Sequence, residues 1–428
     1  MQAGVFQNKF LLFFLYLISF FLPVIGWSFY FKSLEIPFVD LLALLALFFL
    51  FVSKIHDYFT SYHPKKISLP FFGAFLIFFL IAVISSFLNP GELGSIWYSI
   101  RWVLFFYIAF IVFPFNVLGE LKYLKNILIL ITISGLFLAV VGFFSLFLQD
   151  LSDPFFRSQP LPLFGDWIFG QNYNLMAEFL IIVAFLVLAL KYFYKSFRVC
   201  RFLDVLFVFL VLVNLLTFGR TAWLTLLLQV VTYFSIYYLI IKREKLNVRD
   251  ILIAFFFLAV LVSPFFVRAI NLQEVNFSST QNRVLLTKIS WEALKDKPFF
   301  GHGGGEFISL VSDNTRFVAK YGEPLDSHGF GQKIIAEYGL LGIISFLVFL
   351  FLIFRFIYKG VINNKEHYKL LLPLFVAAFG GYFYQLFNTS YYKGRAWIPI
   401  ALALIAVSIL ERNKNNPGIK IKSNIKNV

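Results

Sequence analysis

The chain has 428 residues, of which 60% are hydrophobic and 61 are phenylalanine, and it carries a net charge of +15. A water-soluble domain of that size cannot hide so much apolar surface, so the composition excludes one and predicts an all-α polytopic membrane protein. The one cysteine, Cys200, excludes an intrachain disulfide and a thiolate metal cage, and the lysines and arginines sit in short segments between apolar runs, a topological pattern rather than a nucleic-acid surface.

A span needs about 20 apolar residues. Runs of that kind fall at 10–31, 36–53, 69–88, 97–115, 125–148, 173–191, 202–218, 221–241, 250–267, 338–358, 369–389 and 395–411, about twelve spans. The first is too long for a signal peptide and has no small-residue cleavage site after it, so it reads as a span. The break at Phe218–Thr221 is so short that spans seven and eight form a tight hairpin. The expected organisation is spans one to nine over 1–267, a large loop with amphipathic helices over 268–337, spans ten to twelve over 338–411 and a basic tail over 412–428.

Twelve spans place both termini on one side. With the termini cytoplasmic, the inside segments hold 23 lysines and arginines and the short outside segments hold six. The long loop is exempt from this bias, because long loops translocate regardless of charge. It is therefore expected to face outward, to the periplasm or its equivalent. The six outer exceptions are Lys32, Arg101, Arg157, Arg220, Lys393 and Arg395. Lipid phosphates at the interface are one partner for them, and a shared anionic ligand is the other. Arginine suits phosphate, since its planar fork donates two parallel charge-assisted hydrogen bonds of roughly 1.5–3 kcal/mol each. Glu178 in span six is the clearest ionisable group inside a span. Proton-coupled pumps show several such acids, so its isolation counts against a pump.

A loop of roughly 65 residues between spans is long enough to be functional in its own right. Within it, the stretch 282–297 has helical apolar spacing at Val284, Leu285, Ile289 and Leu294, with Arg283 expected in the first turn of an amphipathic helix. A glycine cluster at 303–305 follows His302; it can turn the chain or aim N–H groups at phosphate. Ser327 reads as a helix cap beside His328. A histidine there is either an interfacial polar group or a base able to take a proton from a sugar hydroxyl near neutral pH. Asp326 and Glu323 are candidates to orient it. The outer loops hold no HExxH and no DxD, so neither metal nor cofactor is expected.

Four stretches carry a resemblance: Gly170–Ala177, Gly219–Trp223, Asn282–Gly303 and Ser327–Gly342. Their order and spacing resemble the O-antigen ligase/polymerase superfamily of bacterial membrane glycosyltransferases, which share the Wzy_C region. The residue after His328 is glycine where that family usually has asparagine. The resemblance implies a donor glycan on a polyprenyl diphosphate, arginines that bind the diphosphate and a loop histidine as base. By motif those roles fall to Arg220, Arg283 and His328; Arg101 and Arg395 join the arginines on topology alone. The acceptor implied is a glycan or lipid A-core, in the bacterial inner (cytoplasmic) membrane, with the active site facing the periplasm. An O-antigen ligase and a repeat-unit polymerase both fit. A lipid-linked glycan flippase is the reading from another class, and it would place its charge in a central cavity rather than at the outer face.

Overall fold

The computed structural model describes residues 9–31, 34–60, 66–89, 93–150, 156–242, 273–388 and 391–415. Its helices are α1 (Lys9–Phe21), α2 (Phe38–Thr60), α3 (Phe72–Leu88), α4 (Gly94–Val117), α5 (Leu121–Ser145), α6 (Tyr173–Leu190), α7 (Phe197–Leu216) and α8 (Arg220–Ser235). The second part contributes α9 (Gln273–Asp296), α10 (Phe307–Ser312), α11 (Thr315–Tyr321), α12 (Phe330–Asn363), α13 (Tyr368–Tyr384) and α14 (Gly394–Asn415). One antiparallel hairpin, Ser28–Phe31 with Leu34–Pro37, joins α1 to α2.

Among the described residues eight helical segments are long and apolar enough to cross a membrane, and α1 and α3 are shorter apolar helices. The expected span at 250–267 lies outside the described residues. The chain is an all-α polytopic membrane protein. Helix is the form such runs must take, because hydrocarbon offers no partner to a free backbone N–H or C=O. The outward surface agrees. Phe48, Phe51, Val205 and Phe351 are each about 60% exposed, a surface suited to lipid tails and unsuited to water.

α14 runs through the middle of the bundle, with 94% of its apolar window buried against 22% for the segment beginning at Arg220. Its Trp397 stacks on Phe106 at 4.5 Å. α13 packs between α6, α8 and α14, and α12 lies along α3. Side-chain amides tie these helices together. Asn214 Nδ2 donates to Ala177 O at 2.9 Å and Gln229 Nε2 to Val376 O at 3.3 Å, the kind of interhelical bond that lipid cannot replace.

α12 is two helices joined at Gly339, which takes φ 65° and ψ −162°. A Cβ at that position would lie 2.5 Å from Phe299 O, so conformation and space both require glycine. The break frees backbone groups, and the segment after α9 satisfies them. His302 N and Gly303 N donate to Ala336 O and Glu337 O at 3.0 and 2.9 Å. In return Pro298 O and Phe299 O accept from Leu340 N and Leu341 N at 2.8 and 3.2 Å. Gly304 N donates to Ser86 Oγ at 3.3 Å. The glycine run thus braces a helix break.

Candidate active site

The site gathers where four helix ends meet. α6 begins at Asn172, whose side chain accepts from Asn174 N at 2.8 Å and so caps the helix. Asn174 O accepts from Tyr384 Oη at 2.9 Å, which fixes the end of α13 against the start of α6. The α7–α8 hairpin is as tight as the sequence predicts. Phe218 adopts a φ of 54°, Gly219 N donates to Thr217 Oγ1 at 3.3 Å, and Arg220 opens α8. Arg157 reaches the same place from the preceding loop: Ser158 N donates to Leu216 O at 2.8 Å, and the Arg157 guanidinium carbon sits 4.4 Å over the Tyr173 ring.

α9 starts at Gln273, several residues before the expected start, so Arg283 lies well inside the helix rather than in its first turn. Leu286, Ile289 and Ala293 bury one face of α9 against Phe307, Val311, Phe317 and Ala336 in a small core of their own. The half-buried Arg283 has a buried Nε without a hydrogen-bond partner among the described residues. Burial, and after it the neighbouring Arg220, hold its pKa below the usual arginine value, against the opposing influence of Tyr173 and Tyr384. Two cations placed side by side, one of them with an unsatisfied buried donor, destabilise each other unless an anion comes between them.

His328 stands next to this pair. The helix cap is Gly329 and not the expected Ser327, whose Oγ donates to Gly329 O at 3.2 Å. Phe330 N donates to Gln385 O at 3.0 Å, and a Cβ on Gly329 would run into Leu386 O. That contact is the local reason for glycine after the histidine. His328 N donates to Gln332 Oε1 at 3.0 Å. Asp326 is engaged elsewhere: Lys333 Nζ lies 2.8 Å from both of its oxygens and Ser327 N donates to Oδ1 at 2.8 Å. Glu323 is exposed. The imidazole is half-buried. Burial first, then the Arg283 charge, pull its pKa below 6.5, with Asp326 opposing. The ring is therefore neutral at physiological pH and ready to accept a proton. His302 sits apart, its Nε2 3.1 Å from Ala293 O at the end of α9.

Arg395 and Arg101 form a second basic group. Arg395, buried, places its Nε 3.1 Å from Glu178 Oε1. Glu178 also accepts from Gln385 Nε2 at 2.8 Å and from Asn388 Nδ2 at 2.7 Å. Arg101, whose guanidinium carbon lies 4.4 Å over Trp102, shares a cavity of about 400 Å³ with Asp40, Tyr392, Lys393 and Arg395. Tyr384 joins the two groups, lying within electrostatic range of Arg283 on one side and of Glu178 and Arg395 on the other.

The structure thus brings Arg220, Arg283 and His328 together and sets Arg101 and Arg395 beside them around a separate cavity. It adds Arg157, Tyr173 and Tyr384. Arg157 was legible as an outer-loop cation, whereas the two tyrosines carry no charge to flag them. Among the described residues no three His, Cys, Asp or Glu side chains come together as a metal site.

Residues 205–347 match the family model Wzy_C, described as O-Antigen ligase. The matched stretch contains Arg220, Arg283, His328 and the Gly339 break. No curated protein sequence matches the chain. Proteins of that family are membrane glycosyltransferase-like enzymes, ligases and polymerases. The match over residues 205–347 supports membership of the O-antigen ligase/polymerase superfamily.

Proposed function

We propose that the protein is an O-antigen ligase-type glycosyltransferase, which moves a glycan from a polyprenyl diphosphate carrier to an acceptor hydroxyl such as that of lipid A-core. The observation that carries this reading is the Arg283 guanidinium, with a buried Nε unpartnered among the described residues, beside Arg220 and next to a neutral His328. Like charges at close range with a donor unused are suited to an oxygen-rich dianion. Arg220 and Arg283 take the diphosphate, with Arg157 behind Tyr173. Arg101 extends the positive surface into the neighbouring cavity, which Arg395, ion-paired with Glu178, also lines.

The chemistry follows from charge. The bond from the anomeric carbon to the phosphate oxygen breaks, and its electron pair stays on the diphosphate. The guanidiniums stabilise that developing charge more than they stabilise the bound donor, which lowers the barrier. The acceptor oxygen forms the new bond to the anomeric carbon, and its proton passes to a ring nitrogen of His328. Placement in the bacterial inner membrane rests on the family match, and the orientation, with both termini cytoplasmic and the site facing the periplasm, rests on the excess of basic residues in the inner segments. The division into spans over 1–267, loop over 268–337, spans over 338–411 and tail over 412–428 goes with that placement.

The test is a surface-glycan gel from a strain lacking the gene. Polymer left on the carrier and missing from lipid A-core supports the ligase. Single repeats attached to core assign the chain to repeat-unit polymerisation. An unchanged pattern rejects glycosyl transfer.

A further inference from the structure

The His328 loop and the Arg283 helix meet through one side chain. Gln332, in the first turn of α12, accepts from His328 N at 3.0 Å through Oε1. Its Nε2 donates to Thr287 Oγ1 at 2.6 Å, and Thr287 Oγ1 donates to Arg283 O at 2.8 Å. Hydrogen-bond arithmetic fixes the amide's orientation. The Thr287 hydroxyl has one hydrogen, already given to Arg283 O, so it can only accept from Gln332. The His328 N–H can only donate, so it requires the amide oxygen. A flipped amide would set donor against donor at one end and acceptor against acceptor at the other.

We propose that Gln332 is a positioning residue, whose amide sets the spacing between the His328 imidazole and the Arg283 guanidinium. Glutamine three residues after a helix cap often reaches back to a free N–H at the helix start. Here the same side chain also grips a second helix, one turn away from the phosphate-binding arginine. The inference rests on the reading of His328 as base and Arg283 as diphosphate ligand. The charged groups facing His328 are Arg283 from α9 and Asp326 from its own loop; Lys333 of α12 holds Asp326, and Arg220 of α8 backs Arg283. Release of Gln332 lets His328 move away from Arg283 toward water, and its pKa rises toward the ordinary histidine value.

The experiment uses membrane vesicles from the deletion strain, which retain carrier-linked glycan and acceptor lipid, with purified full-length wild type, Gln332→Leu or Thr287→Val. Transfer rate is followed against pH. The expected result for Gln332→Leu is a loss of about 10–100-fold and an acid limb moved to higher pH. Thr287→Val, at an exposed position, shifts the limb the same way by less, and the double variant is no worse than Gln332→Leu alone. A wild-type rate and limb in Gln332→Leu overturns the proposal. So does a rate that falls only in proportion to folded protein with the limb unmoved. Full activity in His328→Ala removes the base role on which this inference rests, whereas an inactive His328→Ala beside an unchanged Gln332→Leu sinks only this inference.

Discussion

Arg395 and Arg283 stand on either side of Tyr384 in opposite electrostatic states. Arg395 is buried on Glu178, and the same carboxylate accepts from Gln385 and Asn388, so α6, α13 and α14 are tied into one body. Arg283 is half-buried with another cation as its neighbour, and its Nε is unpartnered among the described residues. A charge met by a carboxylate within the protein holds helices together. A charge left beside its like is, on the proposed function, the one available to an incoming anion.

The comparison breaks most sharply at the frustrated side. Arg283→Ala, which removes the unpartnered donor, is expected to cut transfer about 10²–10³-fold with folded protein at normal levels, measured as glycan product in complemented cells. His328→Ala should lose about 10²–10⁴-fold in the same assay. Retained product in either would detach that residue from the chemistry. On the satisfied side the readout changes from activity to stability. Glu178→Gln leaves Arg395 buried without its carboxylate and should cost about 3–5 kcal/mol, seen as a lower Tm of the purified protein. The Gly339→Ala change forces a Cβ toward Phe299 O at a positive φ and should cost about 1–3 kcal/mol, read in the same melt.

The smallest effect sharpens the contrast through pH. The Arg283 charge helps hold the His328 pKa down, so on the proposed mechanism the imidazole is expected to stay neutral, and transfer to continue, below pH 6.5. Transfer is expected to fall as pH drops through the lowered pKa. In Arg283→Gln the residual activity should fall at a higher pH, because the neighbour that disfavours the imidazolium is gone. A limb that stays in place would show that burial alone tunes the ring.

The amino-acid sequence by itself determined the membrane class and the position of most helices, because a bilayer leaves an apolar run of about 20 residues no other fold. It also marked the cations, since basic residues in short outer loops stand against a strong bias. Only the tertiary structure decided what each cation meets. Arg395 meets Glu178 across 217 positions of chain, Arg157 meets Tyr173 over a loop, and the glycine cluster at 303–305 belongs to a brace for a break at Gly339. Hydropathy is a property of a residue and its near neighbours, so it can be read along the chain. Neutralisation depends on distance to a partner charge, and that distance exists only once the helices have packed.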